Sequence, residues 1–409
     1  LLPKKDGAVR SAFNLQAAHL CVRGPCAAHN PPRTPIPMTT PRIALLLPRL
    51  SRYGGVEGFG WRLARELAAD GLAVDFICAR VENDPPPGVR PVTVGRAGVV
   101  RAGKVAWFAL AAERARAAGN YDLSIGLGKT LRQDVLRISG GPLSVFWELS
   151  ARAWPAGPAR LLKTLSRRLD PVSAVIARIE REQLRHAKHV IAVSHKTVEW
   201  IQHAHPWFDA SRITVIYNRP DLDRFHAPTD AERGAARERF GMPEGMTAVT
   251  LAGTAFPRKG LGGVVGAMAQ LPENFHLFVA GGRNPGRFAR QARALGLEGR
   301  VRFLGRVDDM VGLYHATDVF AMPSLYDTCS NTILEALASG CRVIGSVDDG
   351  SSFFLPERWR AVQADDPAEL AERIRAAAAE PAPGPFTWPA DVPSGLEPYV
   401  RFVRERLGR

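Results

Sequence analysis

Nowhere in its 409 residues does this chain hold about eighteen uninterrupted apolar residues, which argues against a membrane-spanning helix. Cysteine is scarce: Cys21, Cys26, Cys78, Cys329 and Cys341 are odd in number and scattered. Cys21 and Cys26 have no second pair at a matching spacing, which argues against a zinc site. The whole set predicts a reducing, cytoplasmic setting. No short-period repeat is visible. Negative charge is the scarcer sign, with 40 Asp and Glu against 54 Lys and Arg and a formal net charge of +14. Such a surface suits polyanions, whether nucleic acid, anionic lipid or phosphorylated substrates. No recognised nucleic-acid motif or aromatic stacking platform accompanies it, so no nucleic-acid partner is expected.

What the chain does contain is enough length for two domains with separate cores. Residues 1–37 lack the apolar segment of a signal peptide and include Asn30-Pro-Pro-Arg-Thr-Pro-Ile-Pro37. They are expected to be a disordered extension foreign to the fold, with Met38 as its true first residue. From Met38 onward, strand-like runs alternate with amphipathic helices. The first half offers strands at 43–48, 74–79, 123–127, 135–139, 190–193 and 214–217. The second offers 248–252, 276–280, 301–304, 319–322 and 342–345. Helical patterns at 56–69, 261–271 and 367–379 separate them. Apolar strands alternating with helices predict an α/β architecture of doubly wound parallel sheets covered on both faces. The expected domains are 38–222 and 223–380, followed by a linker and terminal helix over 381–409 that folds back onto the first domain.

Ligands bind doubly wound sheets on the loops at the carboxyl ends of strands. Three such loops are chemically unusual. One runs Tyr326-Asp-Thr-Cys-Ser-Asn-Thr-Ile-Leu-Glu335-Ala-Leu-Ala-Ser-Gly340 between a buried strand and a helix that Ser330 or Asn331 can cap. Asp327 lies before the helix start and Glu335 about one turn inside it. Between them, the backbone N–H groups of Asn331, Thr332 and Ile333 favour phosphate, while the carboxylates accept hydroxyl hydrogen bonds. Hydroxyls at both ends and phosphate in the middle describe a nucleotide sugar. The second loop, Gly253-Thr-Ala-Phe-Pro-Arg258-Lys259-Gly260, puts two cations at the same sheet edge. The third, Tyr53-Gly54-Gly55-Val-Glu57, lets backbone approach a ligand closely. Its glycines do not have the Gly-x-Gly-x-x-Gly dinucleotide spacing.

Gly-Gly-Val-Glu after the first strand, Arg-Lys-Gly in the second domain, and acid-x7-acid before Ala-Leu-Ala-Ser-Gly resemble the retaining glycosyltransferases of family 4. Val190-Ile-Ala-Val-Ser194, Val215-Ile-Tyr-Asn218 and Asp221-Leu-Asp223-Arg-Phe225 extend the likeness from about Met38 to the C-terminus. Within the family, the chain is most similar to enzymes that add glucose from UDP-glucose to heptose of the lipopolysaccharide core. The resemblance implies a GT-B fold of two Rossmann-like domains facing across a cleft, and a hexose passed from a UDP-sugar to a lipid-linked saccharide. It implies no metal and no bound cofactor, the UDP-sugar being a co-substrate. It assigns the donor diphosphate to Arg258 and Lys259, approached by Gly54 and Gly55, the sugar hydroxyls to Asp327 and the ribose to Glu335. Arg306 and Val307 would meet the base through backbone groups. Asp327 stands where the family usually has Glu and reaches one methylene less far. No catalytic nucleophile is identified, so Arg258, Lys259 and Asp327 carry the expected catalysis.

Glu57, Lys129, Arg132 and Asp134 are candidates for acceptor binding, against an equal reading as solvated loop charges. His186, His189, His195, His203 and His205 repeat no ligand spacing and none is assigned to a metal. Residues 146–188 combine Trp147, Trp154 and leucines with many arginines. That pattern predicts a basic helix lying on an anionic membrane surface, with the protein peripheral at the inner face of the cell membrane. The alternative is a helix that packs its leucines inward and turns its arginines to solvent. Rival functions left open are a nucleotide-sugar epimerase or phosphorylase, a polyanion-binding protein, and a catalytically dead scaffold.

Overall fold

A computed structural model describes residues 40–408 apart from Pro155 and Arg283, so the expectation for residues 1–37 lies outside it. Two parallel sheets carry the fold. The first orders its strands Val89–Thr93, Ala73–Cys78, Arg42–Leu46, Leu123–Gly126, Val135–Ile138, His189–Ala192 and Ile213–Val215. The second orders Val301–Gly305, Phe275–Ala280, Thr247–Ala252, Val319–Ala321, Arg342–Ser346 and Arg360–Ala361. In each sheet the chain starts in the middle, winds outward one way, then returns to the other side of its first strand. Each sheet therefore has one switch point, where neighbouring strands send their connections in opposite directions and their carboxyl-end loops splay apart. These lie between Arg42–Leu46 and Leu123–Gly126, and between Thr247–Ala252 and Val319–Ala321.

Burial on both faces explains the unbroken apolar strands. Ile43 to Leu46 are fully buried, as are Val319 to Ala321. The second core gathers Leu251, Phe278, Val279, Phe320 and Ile344 with Val264 and Ile374 from flanking helices. The first gathers Ile43, Leu45, Phe76, Ile125 and Leu63. The terminal helix Glu397–Arg406 joins this first core through Tyr399, Phe402 and Val403. Its Tyr399 hydroxyl accepts from Arg137 Nε at 2.9 Å, and Arg404 pairs with Asp70.

Two expectations need correction. The strand Val89–Thr93 was not foreseen; Pro91 within it is tolerated because the strand lies at the sheet edge. The basic stretch 146–188 is three helices, Leu143–Ala151, Pro158–Leu169 and Pro171–His186, broken where proline opens the second and third. No helix among the described residues is long and apolar enough to cross a membrane.

Candidate active site

Two of the unusual loops meet at the switch point of the second sheet. Lys259, buried, donates from Nζ to Asp327 Oδ2 at 2.7 Å and to Ser330 Oγ at 3.3 Å. Arg258 donates to the Tyr326 carbonyl at 2.8 Å and to Asp327 Oδ2 at 3.2 Å. Between the loops, Leu325 N–H donates to the Arg258 carbonyl at 2.8 Å. Gly260, at φ +76°, permits this approach, since a Cβ there would overlap the Pro323 carbonyl. Burial pushes the Asp327 carboxyl up, but Lys259 and Arg258 outweigh it and hold the group below its ordinary value. Asp327 is therefore ionised, and it serves the two cations as an internal anion.

The helix Asn331–Ala338 begins one residue beyond Ser330. Ser330 occupies the capping position but does not cap. Its hydroxyl is taken by Lys259 and by Thr332 Oγ1 at 3.2 Å, so no side chain covers the amides of Asn331, Thr332 and Ile333. Within the helix, Glu335 accepts from the Tyr314 hydroxyl at 3.0 Å. Burial raises the Glu335 carboxyl above its usual range, with Tyr314 and Arg224 pulling the other way.

The acidic loop also touches the first domain. Tyr326 donates to the Gly140 carbonyl at 2.7 Å, Thr328 Oγ1 to the Ser139 carbonyl at 2.6 Å, and Ser194 Oγ to the Thr328 carbonyl at 2.6 Å. The Tyr326 ring stacks on Trp200 at 4.4 Å. Gly141 has to be glycine, because a Cβ would overlap the Tyr326 hydroxyl. Ser139, Gly140 and Gly141 also form one wall of a cavity of about 350 Å³ at the switch point of the first sheet.

Two parallel sheets, with a cationic pair, an uncapped helix start and a pair of acids at the second switch point, match known proteins. Residues 53–224 match a family described as Glycosyltransferase Family 4, and residues 247–380 match Glycosyl transferases group 1. The chain belongs to these glycosyltransferases. Over 226 residues it is 31% identical to the D-inositol 3-phosphate glycosyltransferase of Mycolicibacterium smegmatis, covering 49% of this chain and 50% of that one. It is 30% identical to the lipopolysaccharide core biosynthesis glycosyltransferase LpsE of Rhizobium meliloti, covering 32% of this chain and 38% of that one. It thus spans half or less of the length of these curated relatives. Among solved structures, WaaG, a glycosyltransferase involved in lipopolysaccharide biosynthesis, superposes with a TM-score of 0.68 at 22% identity, covering 83% of this chain and 90% of that one. Anabaena HepE in complex with UDP and glucose gives 0.59 at 20%, with the same coverages. At such identities the likeness is one of fold, and that fold is GT-B.

The other candidate residues of this glycosyltransferase fall into two groups. Glu57 and Lys129 line the first-domain cavity, where Glu57 pairs with Arg49. Gly54, at φ +94°, precedes the helix Gly55–Ala69, whose start has no side-chain cap and has open space around Gly55. Arg132 and Asp134 do not line that cavity. Asp134 is a staple: it accepts from the Ser124 hydroxyl at 2.6 Å and pairs with Lys188 at 2.8 Å, joining neighbouring strands. Arg132 points to solvent. Arg306 is exposed and pairs with Asp308, on the loop after the edge strand, while Val307 packs against the second core. Among the described residues no group of three or more His, Cys, Asp or Glu is arranged to hold a metal ion.

Sequence reasoning missed Asp349. It follows the strand Arg342–Ser346, on the loop beside the acidic one, and a strand-end Asp-Asp-Gly was the available signal. It is buried and accepts from Ser351 N–H at 2.9 Å through Oδ1. Oδ2 has no hydrogen-bond partner of good geometry, although Ser324 is near enough to lower its pKa. Burial, and after it the charge of Asp327, pushes this carboxyl from 3.8 up to about 7. A carboxyl raised on folding stabilises the protein in its protonated form, and that contribution is lost progressively as pH climbs from 3.8, the loss being complete above about 7. Asp349→Asn keeps the shape without the charge. It is expected to raise the melting temperature relative to wild type by several degrees at about pH 8.5, by less at about pH 5, and to change it little only below the unfolded value of 3.8. Thermal unfolding followed by circular dichroism checks this; an equal difference at both pH values contradicts it.

Proposed function

We propose that this glycosyltransferase moves a hexose, glucose by preference, from a UDP-sugar to a hydroxyl of a lipopolysaccharide core or other lipid-linked saccharide. The transfer proceeds with retained configuration and without a metal. The observation that carries this reading is the joint position of Arg258, Lys259, Asp327 and the uncapped amides of 331–333 at one switch point. A diphosphate arriving there competes with Asp327 for the two cations. It draws Lys259 and Arg258 to itself and frees the Asp327 carboxylate to accept from sugar hydroxyls. As the glycosidic bond breaks, charge grows on the leaving diphosphate. The cations and helix amides meet that charge more strongly in the transition state than before it. HepE, with UDP and glucose bound, supports a UDP-sugar donor on this fold.

Glu335 is assigned to the ribose hydroxyls, with the Tyr314 hydroxyl holding its carboxyl in place. Glu335→Gln removes the charge from those hydrogen bonds, worth about 1.5 kcal/mol, so the donor KM is expected to rise about tenfold with kcat changed less. Calorimetry with UDP-, GDP- and ADP-sugars tests the reading as a whole, followed by acceptor screening with the preferred donor. Binding of no nucleotide sugar sinks it. Unchanged donor KM in Glu335→Gln removes only the ribose assignment. Retention is read from the anomeric proton of the product, and metal independence from full activity in EDTA.

The acceptor reading has a second form. One relative is a D-inositol 3-phosphate glycosyltransferase, which supports a phosphorylated cyclitol as an alternative to core heptose. A membrane location is proposed on a separate observation. The helix Pro158–Leu169 buries no residue, and Leu161, Leu162, Leu165 and Leu169 lie within one narrow arc, 63%, 70%, 45% and 80% exposed. Three of its four cations turn inward instead, and only Arg168 stays exposed. Lys163 and Arg167 sit over the Trp154 ring at 5.3 and 5.4 Å, and Arg160 donates to the Trp154 carbonyl at 2.8 Å. A leucine stripe held outward by its own basic face suits the surface of a bilayer at the inner face of the cell membrane.

A further inference from the structure

We propose that the acceptor carries phosphate, and that a basic cavity beside the first-domain cleft holds it. This rests on reading the 350 Å³ cavity at the first switch point as the acceptor cleft. A second cavity of about 290 Å³ adjoins that cleft and shares Pro48, Arg49 and Lys129 with it. Its walls bring together Arg49, Arg80, Arg96, Arg101, Lys104 and Lys129, with Trp107 and Phe108 as an apolar side. Two carboxylates answer these six cations: Glu57 pairs with Arg49, and Glu82 with Arg49 and Arg80. Arg96, Arg101, Lys104 and Lys129 make no ion pair with any described residue.

Two further features mark the cluster as an anion site, and a third lies in the cleft beside it. Arg101 and Lys104 occupy the first turn of the helix Arg101–Ala118, which has no acidic residue there and no side-chain cap. Cations are unfavourable at that end of a helix, and an anion seated between them and the free amides reverses the sign. Lys129 adopts φ +58°, a left-handed conformation uncommon outside glycine, and this carries its side chain into the wall common to both cavities. Desolvation, and then the charge of Arg101, lowers its pKa, with Glu57 pulling the other way, so the crowding of cations outweighs the nearest carboxylate. Arg137, in the adjoining cleft and not in this cavity, is a buried guanidinium that donates to Tyr399 and Asn218 and lies over the Phe59 ring, with its Nη1 left without a hydrogen-bond acceptor.

The arrangement orders an acceptor along one path. Phosphate sits among Arg101, Lys104 and Lys129, and the body of the saccharide fills the cleft. The reacting hydroxyl reaches the wall at 139–141, where Tyr326 and Thr328 hold the loop bearing Asp327. The same phosphate chemistry is found on a phosphorylated saccharide and on a lipid headgroup, and the test separates the two.

The test uses the full chain saturated with UDP, so that the donor site is filled, and inorganic pyrophosphate as the calorimetric probe. Wild type is expected to bind pyrophosphate under these conditions. Arg101→Gln/Lys129→Gln is expected to weaken that binding at least tenfold while UDP affinity stays unchanged. Absent binding in wild type, or equal binding in the two proteins, overturns the proposal. If the double variant keeps pyrophosphate binding but loses binding to phosphatidylglycerol vesicles, the cations serve a membrane and the proposal also fails. Wild type that binds no UDP overturns the donor reading instead, so the two failures are distinct.

Discussion

Lys259→Ala is expected to lower turnover by about 10²–10³-fold, the usual cost of removing one preorganised group from a developing charge. The ammonium it deletes is buried and bonded 2.7 Å from Asp327, so no other side chain or mobile water easily replaces it. Two effects combine. The leaving diphosphate loses a charge-assisted donor, and Asp327 keeps only Arg258, at 3.2 Å, as a cationic partner. Without Lys259 the burial that raises the Asp327 carboxyl is less opposed, so its pKa should move upward. That has a consequence for stability with a definite sign. In wild type a depressed Asp327 contributes stability above its unfolded value of 3.8, and that contribution is lost as pH falls. The variant lacks it, so its deficit in melting temperature should be widest at neutral pH and narrow toward about pH 4. Release of UDP in the presence of acceptor measures turnover, and circular dichroism reports whether the fold survives. Lys259→Met, which keeps the aliphatic stem, serves where alanine leaves too large a gap. Turnover near wild type in a folded variant would remove Lys259 from the proposed mechanism.

That cluster was legible in the sequence because each half of it is local. Arg258-Lys259-Gly260 and the acid pair are contiguous motifs, each following an unbroken apolar strand, so doubly wound topology puts them at one sheet edge. What the sequence did not reveal depends on partners far along the chain. Ser330 has the right chemistry and position to cap a helix, yet Lys259, 71 residues earlier, claims its hydroxyl. Asp134 looks like a loop charge until Ser124 and Lys188 are seen to hold it between strands. Asp349 acquires its character from burial and from Asp327 across the neighbouring loop, and Arg137 from burial, none of which a local pattern of charges reports. The edge strand Val89–Thr93 escaped notice for the opposite reason: half-exposed and holding proline, it lacks the apolar signature of its neighbours.

The leucine stripe supplies the other large effect. Leu161→Gln/Leu162→Gln/Leu169→Gln is expected to reduce binding to anionic vesicles by about a hundredfold or more, with the melting temperature within a degree or two of wild type. Each leucine inserted into the headgroup boundary gains about 1.5–3 kcal/mol, and partial insertion of three still exceeds the ~2.7 kcal/mol that a hundredfold represents. The fold should not notice, because all three side chains are mostly exposed and glutamine is a good helix former. The orientation of the helix makes this a sharp test. Had the leucines packed inward, the same triple change would have opened a core and lowered stability by several kcal/mol with little effect on vesicles. Instead, Arg160, Lys163 and Arg167 fasten the polar face to Trp154 and to the Trp147 carbonyl, leaving the apolar face without a partner among the described residues. Those cations contribute less to lipid attraction than their number suggests, since Lys163 and Arg167 are already engaged. The salt-sensitive part of binding should come from exposed Arg168, Arg178 and Arg181. Arg168→Gln/Arg178→Gln/Arg181→Gln should therefore flatten the salt dependence while retaining weak binding to zwitterionic vesicles, which the leucine variant should lose entirely. Vesicle co-sedimentation at low and high salt separates the two sets. Unchanged sedimentation of the leucine variant would mean that the stripe faces something other than lipid.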